Sequence, residues 1–482
     1  MSRESKPARK LGTNESRPDL IIGIVRPIGV PGERFYEHLE TRLNFYHYRA
    51  HLIKLSHILS DLAESAGRLN IFDSPDRRAE ILINEGNRAR REASDDAAVV
   101  KLGILRIIEE RRISEPPTAF IIDSLKREEE IDFLREVYGE SVIVFGLHAS
   151  LKLRKKKLVE SYRIKRATQS PSQLDLIING LLERDRTEKG KDNHGQDVLG
   201  ALPSADVFID TSSQPDSQIG RVIDLIFRNP RRSTPTVAEL AMSIADRASA
   251  TSPELGRRVG AAIVQRDTIV GTGANIHPQT ASVPEIDSSA LDIHELVGDM
   301  LSLLSSDGVT LSDEAKSQLE GDPDGYVSRL LRGVLKKAKV RDLTEFQTTV
   351  HAEMGALMAA LKCNTDINGA TIYVTAFPCH GCAKHLVSLG LKVVYLDPYP
   401  KSRAEAMYGS AVSKDFQPFI GVAPRRFDSL FFAPDERKAK DGNILPVDRF
   451  AQPYLPGAPW PREVALRERK VIGASQSVYD GE

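Results

Sequence analysis

Cysteine is scarce in this chain: three residues in 482, at positions 363, 379 and 382. Three thiols cannot build a disulfide scaffold, and they fall one short of a four-cysteine structural zinc site. Tryptophan occurs once and aromatic residues make up 6% of the chain. That is thin for a platform that stacks single-stranded bases along a basic groove. The basic excess is missing too: 66 Lys and Arg balance 67 Asp and Glu, for a net charge of −1. A general nucleic-acid binder carries a positive surplus, whereas this balance suits a protein acting on small anions. No apolar run is long enough to span a bilayer, and no secretory segment is visible. The expectation is a soluble protein of a reducing, cytoplasmic compartment, where thiolates survive.

Two of the three cysteines fall in one place. His351-Ala352-Glu353 is followed by Pro378-Cys379-His380-Gly381-Cys382. A lone C-x-x-C can be a redox pair or half of a zinc knuckle. Here it stands with a His, and one imidazole plus two thiolates leave the fourth tetrahedral position of a zinc ion open, as catalytic zinc requires. Glu353 adds nothing to such a ligand set but is placed to move a proton. The run Glu353 to Ala360 reads as helix, broken only by Gly355. Ala370 to Thr375 reads as a buried strand leading into the Pro378 turn, and Lys392 to Leu396 as another. Cys379 and Cys382 then open a helix whose amino-terminal dipole favours thiolates. The whole spacing resembles the H-x-E…P-C-x-x-C signature of zinc deaminases that attack cytosine C4 or adenine C6.

The upstream segment extends the likeness. Val259 to Val264 and Ile269 to Gly273 are apolar runs joined by Gln265-Arg266-Asp267, a hairpin signal. Together with the motif this resembles the cytidine/deoxycytidylate deaminase family. The resemblance implies zinc held by His351, Cys379 and Cys382, Glu353 as the catalytic acid and base, and a sugar contact from Asn275. Downstream, Asp397 to Ser402 follows a strand at its carboxyl end, where α/β proteins place ligands. Lys401 and Ser402 offer a charge and a hydroxyl suited to substrate phosphate. Between Asn275 and His351 lies an insertion, about 277–345, with helical stretches at His294 to Leu304 and Tyr326 to Lys339. Leu343 to Phe346 leads from it to the zinc helix.

The amino-terminal half reads differently. Asp19 to Val25 is a buried strand, Arg26 to Gly32 a glycine-bearing loop, and Glu33 to Leu43 a helix. That is the frame of a phosphate-cradling P-loop. The chemistry is degenerate, since Glu33 stands where the phosphate-binding Lys belongs and Arg34 where the Mg²⁺-binding hydroxyl belongs. Ala119 to Asp123, Val142 to Leu147 and Ala205 to Asp210 read as further strands between helices, hence a parallel, doubly wound sheet. The pattern resembles the deoxynucleoside-monophosphate-kinase branch of the P-loop fold. The basic stretch Lys152 to Arg166 then sits at the lid, reading either as phosphate or RNA contact or as a solvated helix face. Glu183 to Arg186 with His194 to Asp197 is a second polar constellation, reading as nucleotide site or as ordered junction.

From about Asp19 to Phe432 the two halves together resemble the bacterial anti-phage dCTP deaminases. The expected fold is α/β: an amino-terminal, P-loop kinase-like parallel sheet domain plus a carboxy-terminal, cytidine-deaminase-like α/β/α domain. The expected divisions are a disordered tail (1–18), the degenerate kinase-like domain (19–232), the deaminase domain (233–432) and an extension (433–482) that packs as an arm or stays loose. The resemblance implies a zinc-dependent hydrolase acting on the C–N bond of a cyclic amidine. It would convert dCTP to dUTP, with dCMP to dUMP as a second substrate reading, and so deplete the dCTP pool in antiviral defence. Its partners would be a nucleotide substrate, a regulatory small RNA and further copies of itself, with no membrane. Two alternatives stand beside it: a deaminase of single-stranded DNA or RNA, and a non-catalytic nucleotide sensor.

Overall fold

A computed structural model describes residues 17–70, 73–113, 117–163, 170–188, 192–213, 215–277, 288–306, 311–335, 338, 340, 348–398, 403–432, 437–459 and 461–479. The protein is α/β with two sheets in two compact units. The first unit is made of residues 1–234 and 428–482, and the second is Pro235–Phe427.

In the first unit the strands are β1 (Leu20–Val25), β2 (Arg49–Lys54), β3 (Thr118–Leu125), β4 (Val142–His148) and β5 (Val207–Asp210). They are parallel and lie in the order β2-β3-β1-β4-β5. Strand β1 is buried along its whole length, and its Ile22 pairs with Ile121 of β3 and Ile143 of β4. An unbroken apolar run is what a strand covered on both faces requires. Strand β2, Arg-Ala-His-Leu-Ile-Lys, was not expected. It is the edge strand, mostly half-exposed, so polar residues interrupt the apolar run that marks its neighbours.

Helices of this unit include α1 (Glu33–Phe45), α2 (Ala98–Ile113), α3 (Glu128–Tyr138) and α4 (Leu151–Arg163). Helix α4 carries the basic stretch as far as Arg163, the rest lying outside the described residues, and α5 (Pro171–Arg186) brings the Glu183 to Arg186 constellation. The carboxy-terminal segment, which read as arm or loose end, contains α9 (Pro461–Tyr479) and packs on α2 and α3. Its Glu468 is buried and accepts two bonds from Arg111 Nη1, at 2.8 and 2.7 Å, and one from Tyr138 Oη at 2.8 Å. Glu468→Ala strips these partners and should cost about 2–3 kcal/mol. Limited proteolysis should then cut the terminal helix first.

The second unit orders its strands β10 (Phe416–Pro418), β9 (Lys392–Asp397), β8 (Thr371–Ala376), β6 (Gly260–Gln265) and β7 (Thr268–Ala274). Strands β6 (Gly260–Gln265) and β7 (Thr268–Ala274) form the anticipated hairpin, with both turn residues at positive φ, Arg266 at 48° and Asp267 at 61°. That is a type I′ turn, whose twist matches the flanking strands. Strand β8 (Thr371–Ala376) is antiparallel to β6, while β9 (Lys392–Asp397) and β10 (Phe416–Pro418) continue in parallel. Helix α6 (Val237–Ser249) lies on β6 at Gly260, where a Cβ would meet the Ala245 carbonyl oxygen at 1.8 Å. The insertion contributes helices Ser288–Ser306, Asp313–Gly321 and Pro323–Arg332; the first and third meet around Val297, Val327 and Leu331. Among the described residues no helix is long and apolar enough to cross a membrane.

Candidate metal centre

Two helix starts build the site. Helix α7 (Ala352–Lys362) has His351 as its N-cap, and α8 (His380–Ser388) has Cys379 as its N-cap. Helix α7 turns Ala352, Ala356 and Ala360 toward the sheet, all fully buried. Strand β7 meets this small-residue face with Gly271 and Gly273. A Cβ on Gly273 would stand 2.3 Å from Ala356 N, and one on Gly271 2.6 Å from Ala356 O. Alanine against glycine lets the helix backbone approach the strand directly, which fixes where His351 and Glu353 emerge. This Ala-x-x-x-Ala-x-x-x-Ala against Gly-x-Gly pattern was present in the sequence and went unread.

At α8 the Cys379 Sγ accepts the Cys382 backbone N–H at 3.3 Å, the ordinary capping geometry with sulfur in place of oxygen. The Nδ1 atom of His351 lies 3.3 Å from Cys379 Sγ and 3.5 Å from Cys382 Sγ, and all three donor atoms fall within 4.8 Å of one another. A tetrahedral zinc ion with bonds of about 2.1 Å to nitrogen and 2.3 Å to sulfur sets its ligand atoms about 3.6 Å apart. The donor set and its spacing therefore fit zinc, with a fourth position left for a reactant.

The cluster is electrostatically polarised. The hydrogen bond from Cys382 pulls the Cys379 thiol down to about 4, with His351 adding to the effect. The hydrogen bond to Cys379 raises the His351 imidazole to about 9. The same Cys379 bond, together with burial, pushes the Cys382 thiol well above its ordinary value. Glu353 is buried, and burial pushes its carboxyl up. A raised carboxyl beside a metal position is what a group that both takes and returns a proton needs.

Other groups surround the ligands. Glu254 accepts from Thr349 Oγ1 at 2.9 Å, and its charge contributes to the rise at His351. Asn275 commits its amide to the backbone: Oδ1 accepts from Val259 N at 2.7 Å, and Nδ2 donates to the Arg257 carbonyl at 3.0 Å. Arg257 in turn pairs with Asp397 at the end of β9. Glu254 and Arg257 carried no motif of their own and were missed. Lys401 and Ser402, as well as the Leu343 to Phe346 approach, lie outside the described residues.

Residues 235–397 match the family model of the cytidine and deoxycytidylate deaminase zinc-binding region. That match covers about a third of the chain and contains His351, Glu353, Cys379 and Cys382. The chain is 42% identical over 55 residues to the deoxycytidylate deaminase of Enterobacteria phage T2, covering 11% of this chain and 29% of the relative. It is 31% identical over 103 residues to the human deoxycytidylate deaminase, covering 20% and 56%. The chain thus spans between roughly a quarter and just over half of the length of these relatives. The crystal structure of the dCMP deaminase from cyanophage S-TIM5 in complex with dCMP and dUMP aligns with 39% of this chain and 98% of its own, at 19% identity and a TM-score of 0.23.

Metal uptake carries a proton count. Zinc takes neutral imidazole and two thiolates. At pH 7 the metal-free cluster holds Cys379 ionised, with a proton each on His351 and Cys382. Zinc binding should therefore release about two protons per ion. Affinity should climb with pH between about 4 and 9, the Cys379 and His351 values, and flatten in slope beyond. Titrating metal-free protein with zinc in a weak, indicator-containing buffer reads the count directly.

Proposed function

We propose that the second unit hydrolytically deaminates deoxycytidine nucleotides, releasing ammonia and leaving the uracil base. The observation that carries this reading is the convergence of His351, Cys379 and Cys382 beside the buried carboxyl of Glu353. When bound, zinc supplies Lewis acidity that brings the pKa of water toward neutrality. Glu353 accepts the proton of the attacking water and delivers it to N3 of the cytosine ring, making C4 electrophilic. A second proton passes through the same carboxyl to the exocyclic nitrogen, so the C4–N bond breaks with ammonia as leaving group. One water is consumed, and no external acid is needed.

For substrate contacts, the N–H of Asn275 Nδ2 not used by Arg257 is assigned to the sugar, and Lys401 and Ser402 to the phosphate. The substrate reading favoured here is dCTP, with dCMP second; the wider role is depletion of the dCTP pool in defence against phage. The balanced charge of the chain supports a free nucleotide over a polynucleotide. The test is ammonia release and product mass from zinc-loaded protein offered dCMP, dCTP, CTP and single-stranded DNA. Formation of dUTP from dCTP supports the substrate reading, turnover of dCMP alone narrows it, and turnover of DNA alone overturns it.

A further inference from the structure

The degenerate phosphate loop of the first unit is not empty of chemistry. Its Ile28 N–H donates to Asp185 Oδ2 at 2.6 Å. Lys126 Nζ donates to Asp185 Oδ1, also at 2.6 Å, and to the Arg26 carbonyl at 3.0 Å. Arg154 stands 3.8 Å from the same carboxylate and donates through Nε to the Ile28 carbonyl at 2.8 Å. Asp185 comes from the end of α5, over 150 residues from Ile28 in sequence, and its side chain is only 2% exposed. A backbone N–H, a lysine and an arginine aimed at one point form an oxyanion site. The point lies beyond the carboxyl ends of β1 and β3, where α/β sheets receive ligands.

The loop is shaped for this arrangement. Gly29 has φ +79°, and a Cβ there would stand 2.8 Å from the Arg154 carbonyl oxygen, so only glycine lets α4 close over the loop. From the other side Arg26 donates to Asp123 at 2.8 and 3.2 Å and to the Val30 carbonyl at 3.2 Å. The loop is thus pinned from both sides, and Arg26 is paired with its own carboxylate. Lys126 and Arg154 both face the Asp185 carboxylate, two cations on one anion.

We infer that the Arg26–Gly32 loop is an oxyanion site whose resident is the Asp185 carboxylate, and that a phosphoryl group competes with that carboxylate for Ile28 N–H, Lys126 and Arg154. This does not depend on the deaminase reading. It accounts for a phosphate frame without phosphate-transfer residues: the chain supplies the anion itself. It also makes binding of a phosphorylated small molecule conditional on withdrawal of Asp185, in the last turn of α5.

The test is thermal melting of the full-length protein in inorganic phosphate, pyrophosphate or a nucleoside triphosphate, at matched ionic strength. Phosphate weakly stabilises any folded chain by exclusion, so the reading is the difference from wild type. Asp185→Ala should melt lower than wild type and regain about 4 °C at phosphate ten times its Kd. The Lys126→Met, Asp185→Ala double variant should regain nothing beyond the wild-type response. If pyrophosphate or the triphosphate outdoes phosphate, the site extends to a polyphosphate; if all three act alike, it holds one phosphoryl group. A folded Asp185→Ala protein that responds no more than wild type overturns the inference, as does an undiminished response in the double variant. Should Asp185→Ala fail to fold, the near-isosteric Asp185→Asn is titrated in the same way, and the same two results decide.

Discussion

Glu353→Gln should keep its zinc and lose its turnover. The side chain is buried at the first turn of α7, two residues from the ligand His351 but outside the three-atom donor cluster. Glutamine preserves its shape and removes its ability to take a proton. Proton transfer by a positioned side chain contributes about 10²–10⁴ to a rate, so ammonia release should fall by that factor. Zinc content by atomic absorption should stay near one ion per chain. The paired control is Cys379→Ser, which should lose metal and activity together. Full turnover in Glu353→Gln would remove the carboxyl from the chemistry. Loss of zinc in that variant would instead make it part of the metal site.

Gly273→Ala should be among the most damaging single-methyl additions in the second unit. The added Cβ would stand 2.3 Å from Ala356 N and 2.5 Å from Ala352 O, both backbone atoms of the zinc helix. Backbone cannot rotate aside as a side chain can, so α7 must lift or the strand must buckle. Overpacking of this kind costs about 1–3 kcal/mol and occasionally more. The stronger effect falls on the metal, because His351 caps the displaced helix and its Nδ1 must stay within reach of both sulfurs. The expected result is a lowered Tm together with weakened zinc retention against a chelator. Gly355→Ala, on the same helix, meets Ala274 O only at 3.4 Å and should be far milder. Equal effects at the two positions would contradict close helix-on-strand seating.

Which features could be read from residues alone follows from what each depends on. Strands β1, β3 and β4 announce themselves because they are buried almost throughout around a continuous apolar run, and β8 does so through the buried Ile372-Tyr373-Val374. Strand β2 hides because one edge meets solvent. The clustering of His351, Cys379 and Cys382 is legible because zinc chemistry restricts which residue types serve and at what spacing. Glu254 and Arg257 escape notice because an acid or an arginine in a loop carries no spacing constraint, and only the fold brings Arg257 to Asp397. Asp185 is the sharpest case. The sequence suggested a nucleotide site or a junction for its neighbourhood, and only tertiary contact reveals its carboxylate against Ile28, Lys126 and Arg154. The terminal helix was missed because its described side chains bury little apolar surface, and beside Val471 the buried one is Glu468, a residue type that periodicity assigns to solvent.

The return of the chain to the first unit has a consequence for biosynthesis. About 190 residues, Pro235–Phe427, are translated between the body of that unit and the segment that carries α9. At about 5–20 residues per second the ribosome spends about 10–40 s on them. Throughout that interval Arg111 and Tyr138 wait without Glu468, and the surface that α9 covers stays bare. The inserted unit, begun second, is therefore the first that can be finished, and the unit begun first keeps that surface uncovered until the closing helix leaves the tunnel.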